Sequence, residues 1–146
     1  MLFKKIAIGG DHASPEYKEA IKKQLEAAGC EVTDFGTMTE ESVDYPDFAH
    51  KVAKGVNDGE FEAGILICGS ANGVAMTANK YPNVRAGLCW NNEIVQLVRQ
   101  HNNANVLCIP ARFTARQQAM AMAETFLTTE FEGGRHETRV SKIACS

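Results

Sequence analysis

The chain has no long apolar run, no paired cysteines and no excess of basic charge, and each absence removes a class of protein. Its apolar stretches are of strand length. The one in MLFKKIAIGGDH is too brief for a membrane span or a secretory core, so a soluble intracellular protein is expected. Five cysteines, Cys30, Cys68, Cys89, Cys108 and Cys145, are odd in number, widely spread and in neither CxxC nor Cys/His metal spacing. They read as reduced thiols of a cytoplasmic protein. A formal net charge of −3 argues against a sequence-independent nucleic-acid binder and leaves any bound anion to a local cluster. No dinucleotide fingerprint is present, because GSANG is not GxGxxG in the right place. No repeat, linker or low-complexity segment interrupts the 146 residues, which suit one domain.

What is present is alternation. Apolar runs at 6–8, 32–35, 65–68, 86–89 and 106–109 are separated by stretches of helical period. This pattern predicts an α/β fold: a single-domain, three-layer, doubly wound (Rossmann-like) five-stranded parallel sheet with helices on both faces. Tyr17, Ala20, Ile21, Leu25 and Ala28 form one helical stripe; Phe48, Ala49, Val52, Ala53 and Val56 form another, and both should face the sheet. Ser14 before Pro15 reads as an N-cap, and Pro46 after Tyr45 as a proline at a first helical position. Gly29 and Asp58-Gly59 close these two helices, and Thr114 is the expected N-cap of a helix through Leu127. The expected strand order is 2-1-3-4-5, which puts the first and third strands side by side. Ligands bind beyond the C-terminal ends of such a pair.

Those ends carry reactive side chains. The first strand runs into Gly9, Gly10, Asp11 and His12, and the third into Cys68 within GILICGSANGVAMTANK. A strand, a tight loop and a helix start would set the thiol beside free N–H groups of Gly69, Ser70, Ala71, Asn72 and Gly73, suited to an oxyanion or a phosphate. A helix N-terminus lowers a thiol pKa, so Cys68 is expected to be partly thiolate near neutral pH. The alternative is a small buried residue ending a core strand. Asp11 and His12 either cap their loop or meet a ligand. His101 lies one helical step beyond Ile94, Leu97 and Val98 and is followed by Asn102-Asn103, so it either edges an apolar face or works chemically. Arg135 and Arg139, four apart after Gly133-Gly134, either grip a phosphate or pair with Glu132 and Glu137. Arg112 stands at a strand end, within reach of a ligand or a neighbouring subunit. His50 and His136 offer no comparable argument.

Five segments in register, GGDHAS with Lys18, DYPDFA, GILICGSANGVAMTANK, RQHNNANVL and EGGRHETRV, resemble the type B ribose-5-phosphate isomerases and their galactose-6-phosphate isomerase relatives. The resemblance implies that Cys68 is the base moving a proton between C1 and C2 of an open-chain sugar, and that His101 is the acid/base group of ring opening. It implies that Asp11 and Ser70 contact sugar oxygens near the ring, and that Gly69, Ser70, Ala71, Asn72 and Gly73 with Asn102 stabilise the enediolate. His12, Arg112, Arg135 and Arg139 match phosphate positions, and Tyr45 an aromatic lining the pocket. A tail from about residue 130 to 146 would contribute to the phosphate site or a subunit interface. The implied partners are a small-molecule sugar phosphate and a second copy, in a homodimer or homotetramer with shared active sites. No nucleic acid, membrane, metal or organic cofactor is implied.

The chain departs from the family pattern in two places. Ser14-Pro15 replaces a common glycine, and Gly69-Ser70-Ala71 replaces Gly-Thr-Gly. Serine keeps the hydroxyl. Alanine would cost on the order of 1 kcal/mol at positive φ, so Ala71 is expected to have ordinary backbone. The apolar surroundings of Val74, where another branch carries a glutamate base, favour Cys68. The alternatives are an isomerase of a six-carbon sugar phosphate, such as allose or galactose 6-phosphate, and a non-catalytic phosphosugar-binding module.

Overall fold

Residues that alternate in sequence separate onto the two faces of one parallel sheet. The computed structural model describes residues 1–11, 15–37 and 43–144. Within them the strands are β1 (Lys5–Gly10), β2 (Glu31–Asp34), β3 (Ala63–Cys68), β4 (Ala86–Leu88) and β5 (Val106–Pro110). The helices are α1 (Pro15–Ala27), α2 (Tyr45–Asn57), α3 (Asn72–Ala78), α4 (Asn92–Gln100), α5 (Arg116–Thr128) and α6 (Arg135–Ser141), with a short 3₁₀ turn at Ala111–Phe113. Ile6, Ile8, Ile65, Ile67, Leu107 and Ile109 face a core shared with α1, α4 and α5. Ala7, Leu66, Val106 and Cys108, one residue out of phase, face α2 and α3. Each large apolar side chain buried in this way contributes roughly 1.5–3 kcal/mol.

The strand order is β2-β1-β3-β5-β4, so the expected order 2-1-3-4-5 is corrected at its end. The exchange follows from burial: β5 is VLCIP, buried at every residue, whereas the three residues of β4 are only half-buried and suit an edge. Steps toward the β2 edge, β1 to β2 and β4 to β5, carry α1 and α4 on one face. Steps the other way carry α2 and α3 on the opposite face, as right-handed crossovers require. The expected adjacency of β1 and β3 holds, with Gly10 opposite Ile67.

The stripe Phe48, Ala49, Val52, Ala53 and Val56 is wholly buried, whereas Ala28 lies past the end of α1 and is exposed. The Ser14 cap lies outside the described residues. Pro46 is the second residue of α2, behind Asp44 as N-cap. Gly29 (φ +94) and Gly59 (φ +79) follow their helices in the left-handed conformation. Thr114 does not cap α5, because the preceding 3₁₀ turn moves the helix start to Arg116 with Ala115 as N-cap. In α4 the buried face is Val95 and Arg99, and Leu97 is exposed. Arg99 turns inward because its Nε and Nη1 find acceptors there. It donates to the carbonyls of Thr129 (2.9 Å) and Ala104 (2.7 Å) and to Asn103 Oδ1 (3.0 Å), and it stacks over Phe3 and Phe126.

Burial raises the Cys89 thiol from 9.0 to about 12 and pushes Cys108 up as well. Unfolded, these thiols lose protons above about pH 8.5; folded, they keep them, so the unfolded state binds fewer protons and stability falls as pH rises. The urea midpoint is expected to be flat from about pH 7 to 8 and to drop between about pH 9 and 11. A Cys89→Ala variant should show a shallower drop, and a pH-independent midpoint would contradict the assignment.

Candidate active site

At the C-terminal edge of the sheet, β1 and β3 deliver Asp11 and Cys68 to one point. Cys68 Sγ donates to Asp11 Oδ2 at 3.0 Å, and the Asp11 N–H donates to the Ile67 carbonyl at 3.1 Å. Asp11 is buried and Cys68 half-buried. Desolvation first, then the Asp11 carboxylate, push the Cys68 thiol up to about 12, against smaller opposing effects of the Gly69 N–H and the Arg112 charge. The expectation of a partly ionised thiol is therefore corrected: the resting sulfur is protonated. The carboxylate beside it and its loss of water outweigh the backbone dipoles that sequence reasoning relied on.

The loop after Cys68 is built tightly. Ser70 Oγ accepts from the Asn72 N–H (3.4 Å) and from Asn72 Nδ2 (3.3 Å). Ala71, the N-cap of α3, has φ 63 and ψ 4 and is 1% exposed, which corrects the expectation of ordinary backbone. The chain must reverse from β3 into α3 within three residues, and the left-handed region accomplishes this. The strain, on the order of 1 kcal/mol, is offset in part by burial of the Ala71 methyl against the α2 and α3 core. The Arg112 N–H donates to the Gly69 carbonyl at 3.1 Å, and a Cβ on Gly69 would stand 3.1 Å from Arg112 Nε, so this arginine lies across the loop. Tyr45, at the start of α2, covers Gly73.

A Cβ on Gly73 would sit 2.4 Å from the Tyr45 ring. Gly73→Ala is expected to displace the tyrosine and cost about 1–2 kcal/mol in urea unfolding. Tyr45→Ala in the same chain should remove most of that loss; an unrescued double variant would place the strain elsewhere.

Behind Asp11, Lys18 is 3% exposed and pairs with Asp34 Oδ1 at 3.1 Å while donating to the Thr37 carbonyl. Asp34 Oδ1 also accepts from the Gly36 N–H (2.9 Å), and Gly36 in turn accepts from the Gly10 N–H (2.7 Å). This buried pair ties the end of β2 to the residue preceding Asp11. Sequence reasoning placed Lys18 only within a motif; a lysine at a position of a helix that turns toward the sheet was the available signal.

The remaining expected residues stand elsewhere. His101 is the C-cap of α4, which runs back to the N-terminal edge of the sheet, whereas Cys68 is level with Pro110 at the far end of β5. About 13 Å of strand separates the two edges. His101 stacks on His136 (4.3 Å between ring centres, 12° between planes), and both imidazoles approach Glu132. Arg135 and Arg139 belong to the same α6, and Asn102 follows His101. Within one chain, then, Asp11, Cys68, Ser70, Tyr45 and Arg112 form one group, and His101, Asn102, Arg135 and Arg139 form another. Asn102 does not join the loop of residues 69–73, and Arg112 does not join the other arginines. His12 lies outside the described residues. The meeting of His101 with Glu132 and His136 was not expected; the spacing of four between Glu132 and His136 across the start of α6 was the available signal.

A buried carboxylate holding a thiol, beside backbone N–H groups and an arginine, can accept a proton from carbon and hold the anion that results. The Ribose/Galactose Isomerase family profile matches residues 6–143. The chain is 42% identical to ribose-5-phosphate isomerase B of Escherichia coli over 140 residues, covering 96% of this chain and 94% of that protein. A ribose 5-phosphate isomerase structure from Thermotoga maritima is similar with a TM-score of 0.93, 48% identity and 97% of both chains covered. The Mycoplasma genitalium ribose-5-phosphate isomerase B with bound ribulose-5-phosphate superimposes with a TM-score of 0.92 at 40% identity, over 95% of this chain and 93% of that one.

Proposed function

The chain belongs to the ribose/galactose isomerase family, and on that premise we propose that it interconverts ribose 5-phosphate and ribulose 5-phosphate by proton transfer through an enediolate. The observation that carries this reading is the 3.0 Å contact of Cys68 with Asp11. The pair shares one proton, which rests on sulfur. For Cys68 to take the proton from substrate carbon, its own must pass to Asp11 Oδ2, which then faces a sugar oxygen as an acid. The N–H groups of Gly69, Ser70, Ala71, Asn72 and Gly73 hold the enediolate oxygens, with Arg112 adding charge across the loop. Tyr45 lines the pocket, and Ser70 contacts the sugar.

The complete site is formed between two copies of the chain. His101 opens the sugar ring, Asn102 supports the enediolate, and Arg135 and Arg139 grip the phosphate, all acting on substrate held at the Cys68 of the other copy, where His12 beside Asp11 joins the phosphate grip. Support comes from the edge-to-edge separation within one chain and from Trp90 and Phe113. These follow β4 and β5 at the Cys68 edge and are 52% and 74% exposed, apolar area that a second copy would cover. The tail from about 130 to 146 supplies the phosphate grip. A cytoplasmic setting is consistent with the four described thiols being unpaired, and no described helix is long and apolar enough to cross a membrane.

The test is conversion of ribose 5-phosphate in metal-free buffer, with allose 6-phosphate and galactose 6-phosphate alongside. Turnover of the pentose supports the proposal; consumption of a hexose phosphate alone would move the chain to the six-carbon branch. In the same assay Arg139→Ala should raise KM for the pentose phosphate by about tenfold to a hundredfold with a smaller change in kcat. An unchanged KM would remove this arginine from the phosphate grip.

A further inference from the structure

We propose that His101, Glu132 and His136 form a binding site for a divalent transition-metal ion such as Zn²⁺, and that its occupancy inhibits the isomerase by withdrawing His101 from ring opening. The inhibitory half rests on the role proposed above for His101; the binding half does not.

Three separate pieces of chain bring the donors together: the end of α4, the loop before α6, and the first turn of α6. Glu132 Oε1 stands 3.8 Å from His101 Nε2 and 3.5 Å from His136 Nε2, and the three ligand atoms lie within 4.8 Å of one another. Zinc–ligand bonds of about 2.0–2.1 Å set the edges of a tetrahedral site near 3.4 Å. Two edges are therefore almost in place, and the third, at most 4.8 Å, closes by about 1.4 Å at most. The stacked rings are nearly parallel, so one must turn for its lone pair to converge. His101, with a side chain 42% exposed, has room to do so.

The backbone beneath these side chains is already fixed. The Glu132 N–H donates to the Gln100 carbonyl (3.0 Å), the His101 N–H to Leu97 (2.9 Å), and the His136 N–H to Gly133 (3.1 Å). Arg99 anchors Thr129 and Asn103 on either side. Binding therefore orders three side chains rather than a loop. Two imidazoles and one carboxylate favour zinc, copper, nickel or cobalt over magnesium or calcium, whose preferred donors are all oxygen. Arg135 and Arg139 stand on the same short helix as His136 and oppose a dication, which weakens the affinity relative to the same three donors without them. With three protein donors, the fourth position stays open to water or a ligand oxygen.

The experiment is calorimetric titration of the chelator-treated full chain with Zn²⁺ for wild type, His136→Ala, Glu132→Gln and Cys68→Ala, with thermal unfolding to confirm that each variant is folded. One ion per chain is expected. His136→Ala and Glu132→Gln should each weaken binding by at least about tenfold, and Cys68→Ala should leave it unchanged. No saturable binding, or binding that survives in His136→Ala and disappears in Cys68→Ala, would overturn the site. In the isomerase assay Zn²⁺ should inhibit the wild type reversibly to EDTA, with the midpoint at least about tenfold higher in His136→Ala. Binding without inhibition of an active enzyme would overturn the inhibitory half. A chain with no isomerase activity would remove the role given to His101, while the calorimetry would still decide the site.

Discussion

Cys68→Ala is expected to leave the chain folded and to lower kcat for ribose 5-phosphate by about a thousandfold, within the 10²–10⁴ range that a positioned general base contributes. The side chain is half-buried at the end of β3, so its loss leaves the sheet register untouched and costs little packing. Cys68→Ser restores a donor to Asp11 but not turnover, because a hydroxyl is far less acidic than a thiol. The resting protonation state has its own readout. Alkylation of Cys68 by iodoacetamide should be slow near neutrality and rise with pH beyond about 9 without a plateau, because desolvation and the Asp11 carboxylate keep the proton on sulfur. Asp11→Asn removes that negative charge, so it should speed alkylation while it slows turnover. A plateau near neutral pH would contradict the protonated thiol, and normal turnover by Cys68→Ala would remove it as the base.

A mixed dimer of Cys68→Ala and His101→Ala chains is expected to recover about half of wild-type activity although each parent is nearly inactive, because pairing leaves one of its two sites intact. The argument is topological. β5 separates the Cys68 edge from the His101 edge, and no side chain spans that distance. In the mixed dimer one site receives Cys68 from one copy and His101 from the other, and the second site receives neither. Chains carrying two different tags, purified through both in succession, isolate the mixed species. If each site lay within a single chain, every site of the mixed dimer would lack one group and activity would stay at the level of the parents.

Some of this was legible in the residues. The five strands and the stripe from Phe48 to Val56 follow from periodicity, because burial on one side of a helix or on both sides of a strand leaves a repeat that needs no partner to be read. The meeting of Asp11 with Cys68 was also within reach, because adjacent strands 1 and 3 end at those two residues. The exchange of β4 and β5 was not, since two short apolar runs differ only in how completely they end up buried. Nor was the left-handed Ala71, a residue that ordinarily avoids that region and is held there by the turn between β3 and α3.

The amino-acid sequence by itself determined the α/β class and the family, and it singled out the thiol, carboxylate, imidazole and arginines proposed to carry the chemistry. These depend on local periodicity and on residue types in a fixed order. Only the tertiary structure decided that the thiol rests protonated, that Lys18 and Asp34 tie the end of β2 to the residue before Asp11, and that His101 shares a corner with Glu132 and His136 far from Cys68. Those properties arise from desolvation and from distances between residues remote in sequence, which exist only once the chain has folded.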